Sequence, residues 1–387
     1  MKKALFFLFS LILLPVFTVS AQEPYQGSIR PWWYTLEQGK QYFRSGSYGD
    51  ALMAFEDARR DRLAQFTRME QDFIALLSQP DLRRLGDSLE FVEMYIASHH
   101  EAATAAVLAE LYHRIPKETL NNSVKRVLEE LNRLKDYPEA EYWLGETYRV
   151  EGELALALRQ YQRAFDERAL LETPGFDTEI LYKITDAHRV RGEYQEMEKR
   201  ATEIIEGAGS SGASRDSLWT GDASNPGSVN QIRVSMARVM DTEGVNRFLT
   251  LYRYNNPLTE KAHRLLGFYC YASNRYSPAA EHLMFSFLIQ NTVIIEELLR
   301  EQYDFTFSTL GDLMDAVQKK PELSSYLDGA EYYKTIYYLA SALYASGKTL
   351  PAMQLWTFLA GSNNSGEWGR RARQNPTPFI DRAIEMP

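Results

Sequence analysis

Gly39, Tyr42, Gly46, Ala51, Phe55 and Ala58 recur 106 residues later as Gly145, Tyr148, Gly152, Ala157, Tyr161 and Ala164. The order is small, aromatic, turn glycine, small, aromatic, small. Two helices that cross closely need little side chains at the crossing and bulky ones beside it. The third mark, a glycine, suits the left-handed residue that closes a helix. The pattern predicts a helical hairpin, and its return predicts a row of them. Further copies run through Gly267, Cys270, Asn274, Ala279, Leu283 and Ser286, and through Ala340, Leu343, Gly347, Ala352, Trp356 and Leu359. A weaker copy runs through Thr185, His188, Gly192, Met197, Ala201 and Ile204.

Turn signals fall near Gly46, Pro80, Pro116, Gly152, Gly192, Gly244, Asn274, Ser308 and Gly347. The expected fold class is all-α: an α-solenoid of about nine helical hairpins, with a capping segment after Ala360. Trp368–Gln374 and Pro378–Ile384 are the expected capping helices. One interval is too long for a single repeat. Residues 206–230 are rich in Gly and Ser and read as a flexible loop. That loop divides an N-terminal solenoid, 22–205, from a C-terminal one, 231–387.

The first 21 residues form no part of this fold. Lys2 and Lys3 precede an apolar run from Ala4 to Phe17, and Val19-Ser20-Ala21 offers a small-x-Ala cleavage site before Gln22. This is the pattern of a secretory signal peptide. The run is shorter than the roughly 20 residues of a spanning helix. No later stretch is expected to span a membrane, so the mature chain is expected in the periplasm or outside the cell. Loss of the two lysines takes the formal charge from −9 to −11. With no Lys/Arg-rich run, the chain lacks the basic face of a nucleic-acid binder. Cys270 is the only cysteine and cannot form an internal disulfide. It occupies the packing position of Tyr42 and Tyr148, which points to a buried, unreactive thiol.

The repeated marks resemble the tetratricopeptide repeat family, whose unit is about 34 residues. The copies around Gly39 and Gly145 match most closely. The early tryptophan position departs from the family, being held by Thr35 and Glu141. The resemblance implies that the first helices of successive pairs line a concave face, through their second, fifth, ninth, twelfth and thirteenth repeat positions. Here those are Glu139, Tyr142, Glu146, Arg149 and Val150, then Glu179, Tyr182, Asp186, Arg189 and Val190. In the C-terminal part they are Lys261, Arg264, Phe268, Tyr271 and Ala272, then Lys334, Tyr337, Ser341, Tyr344 and Ala345. The family's carboxylate clamp needs Lys and Asn at positions that hold Tyr142 and Glu146, or Arg264 and Phe268, so acidic C-terminal tails are not the implied ligand.

Two readings of the N-terminal groove stand side by side. In one, Arg149 pairs with Glu146 and Arg189 with Asp186 as ordinary surface pairs, while the tyrosines pack between repeats. In the other, Tyr142 stacks beside Tyr182 and Arg149 beside Arg189, and this ladder holds an extended peptide or a carboxylated glycan. Trp32, Trp33 and Tyr34 are expected to staple the first helix to the core. Trp219, in the Gly/Ser-rich segment, is either a docking anchor or folds back on the solenoid.

Catalytic patterns are lacking in the sequence. Gly207, Gly209 and Gly212 fit G-x-G-x-x-G, but a helical segment precedes them where a strand is required. His99 and His100 are adjacent and diverge by about 100° on a helix, so they cannot chelate one metal together. No cofactor or metal is expected, and no enzyme. The expected function is an exported scaffold or adaptor that holds protein partners, by a peptide or a glycan, in the bacterial cell envelope. The alternative is a ligand-capturing accessory subunit of a periplasmic transport system.

Overall fold

The computed structural model of the chain describes residues 31–77, 132–208, 226–384 and Met386. The leader, the turns at Pro80 and Pro116, His99, His100, His113 and Trp219 lie outside them. Among the described residues the regular structure is wholly helical, with fifteen α-helices and no strand. The chain forms two compact units, Met1–Asp136 and Tyr137–Pro387.

In the first unit, α1 (Trp32–Arg44) and α2 (Tyr48–Leu77) form a hairpin. The Phe55 ring lies so close over Gly39 that a Cβ there would stand 2.5 Å from it. Trp32 is buried against Phe66, and the Arg62 guanidinium faces both rings. Arg62 Nε donates to the Leu134 carbonyl at 2.8 Å. Trp33 and Tyr34 remain exposed. Of the three expected staples, only Trp32 enters the core.

In the second unit, α3 (Pro138–Val150) pairs with α4 (Leu154–Asp166), and α5 (Phe176–Val190) with α6 (Tyr194–Ala208). Helix α7 (Pro226–Glu243) meets the short α8 (Val245–Leu251), and α9 (Pro257–Ala272) pairs with α10 (Tyr276–Glu301). Two short helices follow, α11 (Leu310–Val317) and α12 (Pro321–Gly329). The last pair is α13 (Tyr332–Ala345) and α14 (Thr349–Gly361), and α15 (Gly366–Gln374) packs on α14. Proline occupies the first turn of α3, α9 and α12, where its missing N–H costs nothing.

The small–large code is read out at the crossings. A Cβ on Gly145 would lie 2.6 Å from the Tyr161 ring, and one on Gly267 would lie 2.5 Å from Leu283. The turn code is read out as well. Gly46, Gly152, Gly192, Asn274 and Gly347 all have left-handed φ, between 58° and 85°. After each, the next N–H reaches back to the carbonyl of Tyr42, Tyr148, His188, Cys270 or Leu343, at 2.8–2.9 Å. That bond closes the helix and satisfies an otherwise orphaned carbonyl.

Several expectations are corrected. Residues 206–208 and 226–230 of the expected loop are helical, in α6 and α7, and residues 209–225 lie outside the described residues. Nor does that loop split the core, since Ala201 and Ile204 share one cluster with Ala262 and Leu266. Ser308 is not a hairpin turn. Helix α10 continues to Glu301, and Thr309 then caps α11 through a reciprocal bond with Asp312. Pro378–Ile384 is not helical, yet it docks: the Phe379 ring meets Trp356 edge-on at 5.7 Å, and Asp381 is buried. Finally, α10 is by length and composition apolar enough to span a bilayer, although 72% of its apolar window is buried inside the unit.

Candidate functional site

The candidate residues share one structural habit. In α3, α5, α9 and α13 the fifth repeat position reaches forward to a later part of the chain. Tyr142 Oη donates to Glu179 at 2.6 Å. Tyr182 Oη donates to the Leu258 carbonyl at 2.5 Å and accepts from the Ala262 N–H at 3.1 Å. Arg264 pairs with Glu331 at the start of α13, and with Glu260 on its own helix at 3.1 Å. Tyr337 Oη donates to Asp381 at 2.8 Å. These four side chains latch their helices to segments later in the chain. The expected stack of Tyr142 on Tyr182 is replaced by contacts of Tyr142 with Phe176, Trp143 and Tyr161.

Burial separates core residues from surface residues. Tyr142, Phe268, Tyr271 and Tyr337 are buried. Phe268 meets Tyr338 edge-on, and the Lys334 ammonium lies 4.7 Å from its centroid. The Tyr271 hydroxyl accepts from the Asp381 N–H at 2.9 Å. Tyr337 lies between Trp356 and Trp368, at 5.0 Å and 5.2 Å. A ligand cannot touch these rings without opening the core. Glu139 and Glu179 are also engaged, Glu139 accepting from the Glu172 N–H at 3.0 Å and Glu179 from Tyr142.

What remains for a partner lies at the C-terminal ends of the first helices. Arg149 and Arg189 are half exposed and held by Glu146 and Asp186 at 2.9 Å and 2.8 Å. The adjacent Val150 and Val190 are 40% and 53% exposed, and Tyr344 is 38% exposed. The pairing of the arginines agrees with the first of the two readings above. It also fixes each guanidinium in place, leaving its outer edge toward solvent.

Beneath Arg149, Glu146 has more partners than the single surface pair its spacing suggests. Glu146 is buried and receives Tyr161 Oη, Arg149 and Lys183, the last at 3.0 Å. Burial works to raise its pKa, but the hydrogen bonds from Arg149, Tyr161 and Lys183 outweigh it and hold the carboxyl below its ordinary range. The signal was available: the ring position that is Phe55 in one copy is Tyr161 in the next, and a buried hydroxyl needs an acceptor. Cys270 is buried, and that burial pushes its thiol up to about 11. His263 and His282 face each other, Nδ1 to Nδ1, at 3.2 Å. Burial drives His263 well below the usual imidazole range, so the pair is uncharged at its inner end. Among the described residues no group of three or more His, Cys, Asp or Glu is placed to hold a metal.

The second unit also carries two clefts. One, of about 630 Å³, opens between α8, α11 and α14. The other, of about 430 Å³, lies between α7 and α10, where Arg233 faces Phe285 and Lys348 pairs with Asp241.

These features define an all-helical, repeat-like protein. No family model matches the chain. It is 22% identical over 340 residues to an uncharacterized protein of Treponema pallidum, a match covering 88% of each chain. It is 21% identical over 238 residues to an uncharacterized protein of Borreliella burgdorferi, covering 59% of this chain and 72% of that one.

Proposed function

We propose that the chain is a non-catalytic, exported scaffold of tetratricopeptide type, a stacked row of hairpins that holds a protein partner in the bacterial cell envelope. The leader-like first 21 residues and the bacterial origin of both relatives support that compartment. The observation that carries the reading is the repeated Arg-Val end of two consecutive first helices. Arg149-Val150 and Arg189-Val190 place a fixed guanidinium beside an exposed apolar side chain twice over. Such a pair of positions can grip an acidic or carbonyl-rich segment while burying its apolar neighbours.

Crosslinking of the tagged chain in its own cells, with and without Arg149→Ala and Arg189→Ala together, tests this. The expected result is that capture of the main partner falls several-fold while the fold persists, since Arg189–Asp186 is a surface pair worth at most roughly 1 kcal/mol and the buried Glu146 keeps Tyr161 and Lys183 when Arg149 is removed. Undiminished capture by the double variant excludes this surface.

A further inference from the structure

The larger cleft lies apart from the arginine ends and the latches, since none of those residues lines it. Four primary amides line its wall, those of Asn246, Gln318, Gln354 and Asn363, and the orientation of the first and third is settled by the backbone. Gln354 Oε1 accepts from the Val245 N–H at 2.7 Å. Asn246 Oδ1 accepts from the Leu310 N–H at 3.0 Å. With the oxygens committed to these donors, the other end of each amide is an NH₂ group, which can only donate. Neither nitrogen donates to another atom among the described residues. Gln354 lies directly against Gly244, whose φ of 87° favours glycine there.

The rest of the wall narrows the ligand. Asp315 is its single charged side chain, and no cation lines it. A phosphate or carboxylate ligand would therefore meet repulsion without compensation. Sugar rings are bound best on an open aromatic face, and the one aromatic ring of the wall, Phe358, is packed against the core. Leu350 is exposed, and Met353 beside it is flexible and polarisable, a surface that adapts to varied apolar side chains.

We propose that this cleft binds an extended, uncharged or basic peptide segment of a partner protein. Its main-chain carbonyls take the amides of Asn246 and Gln354, a basic side chain faces Asp315, and apolar neighbours lie on Leu350 and Met353. The volume, about 630 Å³, suits a few residues of such a chain. This site does not depend on the arginine surface, and either can fail without the other.

The test begins with a phage-displayed random heptapeptide library selected on the immobilised full chain. Enriched peptides are synthesised and their binding is measured by fluorescence anisotropy. The key variant is Asn246→Asp with Gln354→Glu. Both carboxylates still accept from Leu310 and Val245, so the helix starts stay satisfied, but the two donors are gone. The comparison uses enriched peptides whose basic residue is replaced by methionine, so that the new charges cannot attract them. Affinity is expected to fall about tenfold or more in the double variant. Asp315→Asn, at an exposed position, is expected to erase the preference for Lys or Arg over Met while leaving the neutral peptide unchanged. It carries the test alone if the double variant melts early. No enrichment over the bare matrix, equal binding by the variants, or binding of a neutral hexasaccharide in place of any peptide would each overturn the proposal.

Discussion

Gly39 and Gly49 lie ten residues apart in one hairpin and have opposite surroundings. A Cβ at Gly39 would stand 2.5 Å from a carbon of the buried Phe55 ring, whereas one at Gly49 meets nothing within 4 Å. Alanine gains roughly 1 kcal/mol of helix propensity over glycine at an interior position. Overpacking a tight contact costs about 1–3 kcal/mol, and at 2.5 Å the ring has to move. Gly39→Ala is therefore expected to lower stability by up to roughly 2 kcal/mol. Gly49→Ala should be neutral or raise it by a few tenths. Urea unfolding followed by circular dichroism separates the two, and equal stabilities would remove the crossing role of Gly39. This contrast was legible in the sequence, because only Gly39 has counterparts in Gly145 and Gly267 at the same place before a turn. The partner-facing rings were less legible. A tyrosine at the fifth repeat position looks the same whether its hydroxyl meets a ligand or the neighbouring repeat, and in Tyr142, Tyr182 and Tyr337 it meets the neighbour.

At the scale of the element, those latches explain how one helix pair orders the next. The small–large code holds each hairpin together internally, but it says nothing about the joint between hairpins. Tyr182 makes the clearest joint, with its hydroxyl donating to the Leu258 carbonyl and accepting from Ala262 in the first turns of α9. Tyr182→Phe keeps the ring and deletes both bonds, at an expected cost of about 1 kcal/mol. The loss should be local. Amide hydrogen exchange at Ala262 and its neighbours in α9 should quicken, while α3 and α4 keep their protection. Protection lost evenly across the unit would mean that the hydroxyl acts through global stability and not as a joint. Element ends were legible wherever a left-handed residue was required, as at Gly152, Gly192 and Asn274. They were not legible where packing overrode the repeat length. The second helix of its pair, α10 runs on to Glu301 because buried Leu288, Ile289, Ile294, Ile295 and Leu298 extend its apolar surface well past one repeat. The expected turn at Ser308 therefore became the approach to a capping box.

For the whole molecule, composition and contact give different boundaries. The Gly/Ser-rich segment suggested two solenoids joined by a linker, yet the core passes from one side of it to the other. Ala201 and Ile204 of α6 pack in one cluster with Ala262 and Leu266 of α9. The stacked rings of Tyr194 and Tyr269 add a second contact at 5.8 Å, and Arg275 pairs with Glu198 at 2.8 Å. A loop can be rich in glycine because it must travel over a surface, and this need not mark a domain boundary. The consequence is testable by cutting the chain there. A protease site placed within residues 209–225 and cleaved in the folded protein removes one covalent link and none of these contacts. Burial of those side chains, at roughly 25 cal/mol per Å² of apolar surface, continues to hold the two pieces together. The fragments are expected to co-elute in gel filtration and to part only in denaturant, with one cooperative unfolding transition. Two independently folded fragments that separate in native buffer would restore the linker reading, and the unit Tyr137–Pro387 would then have to be divided in two.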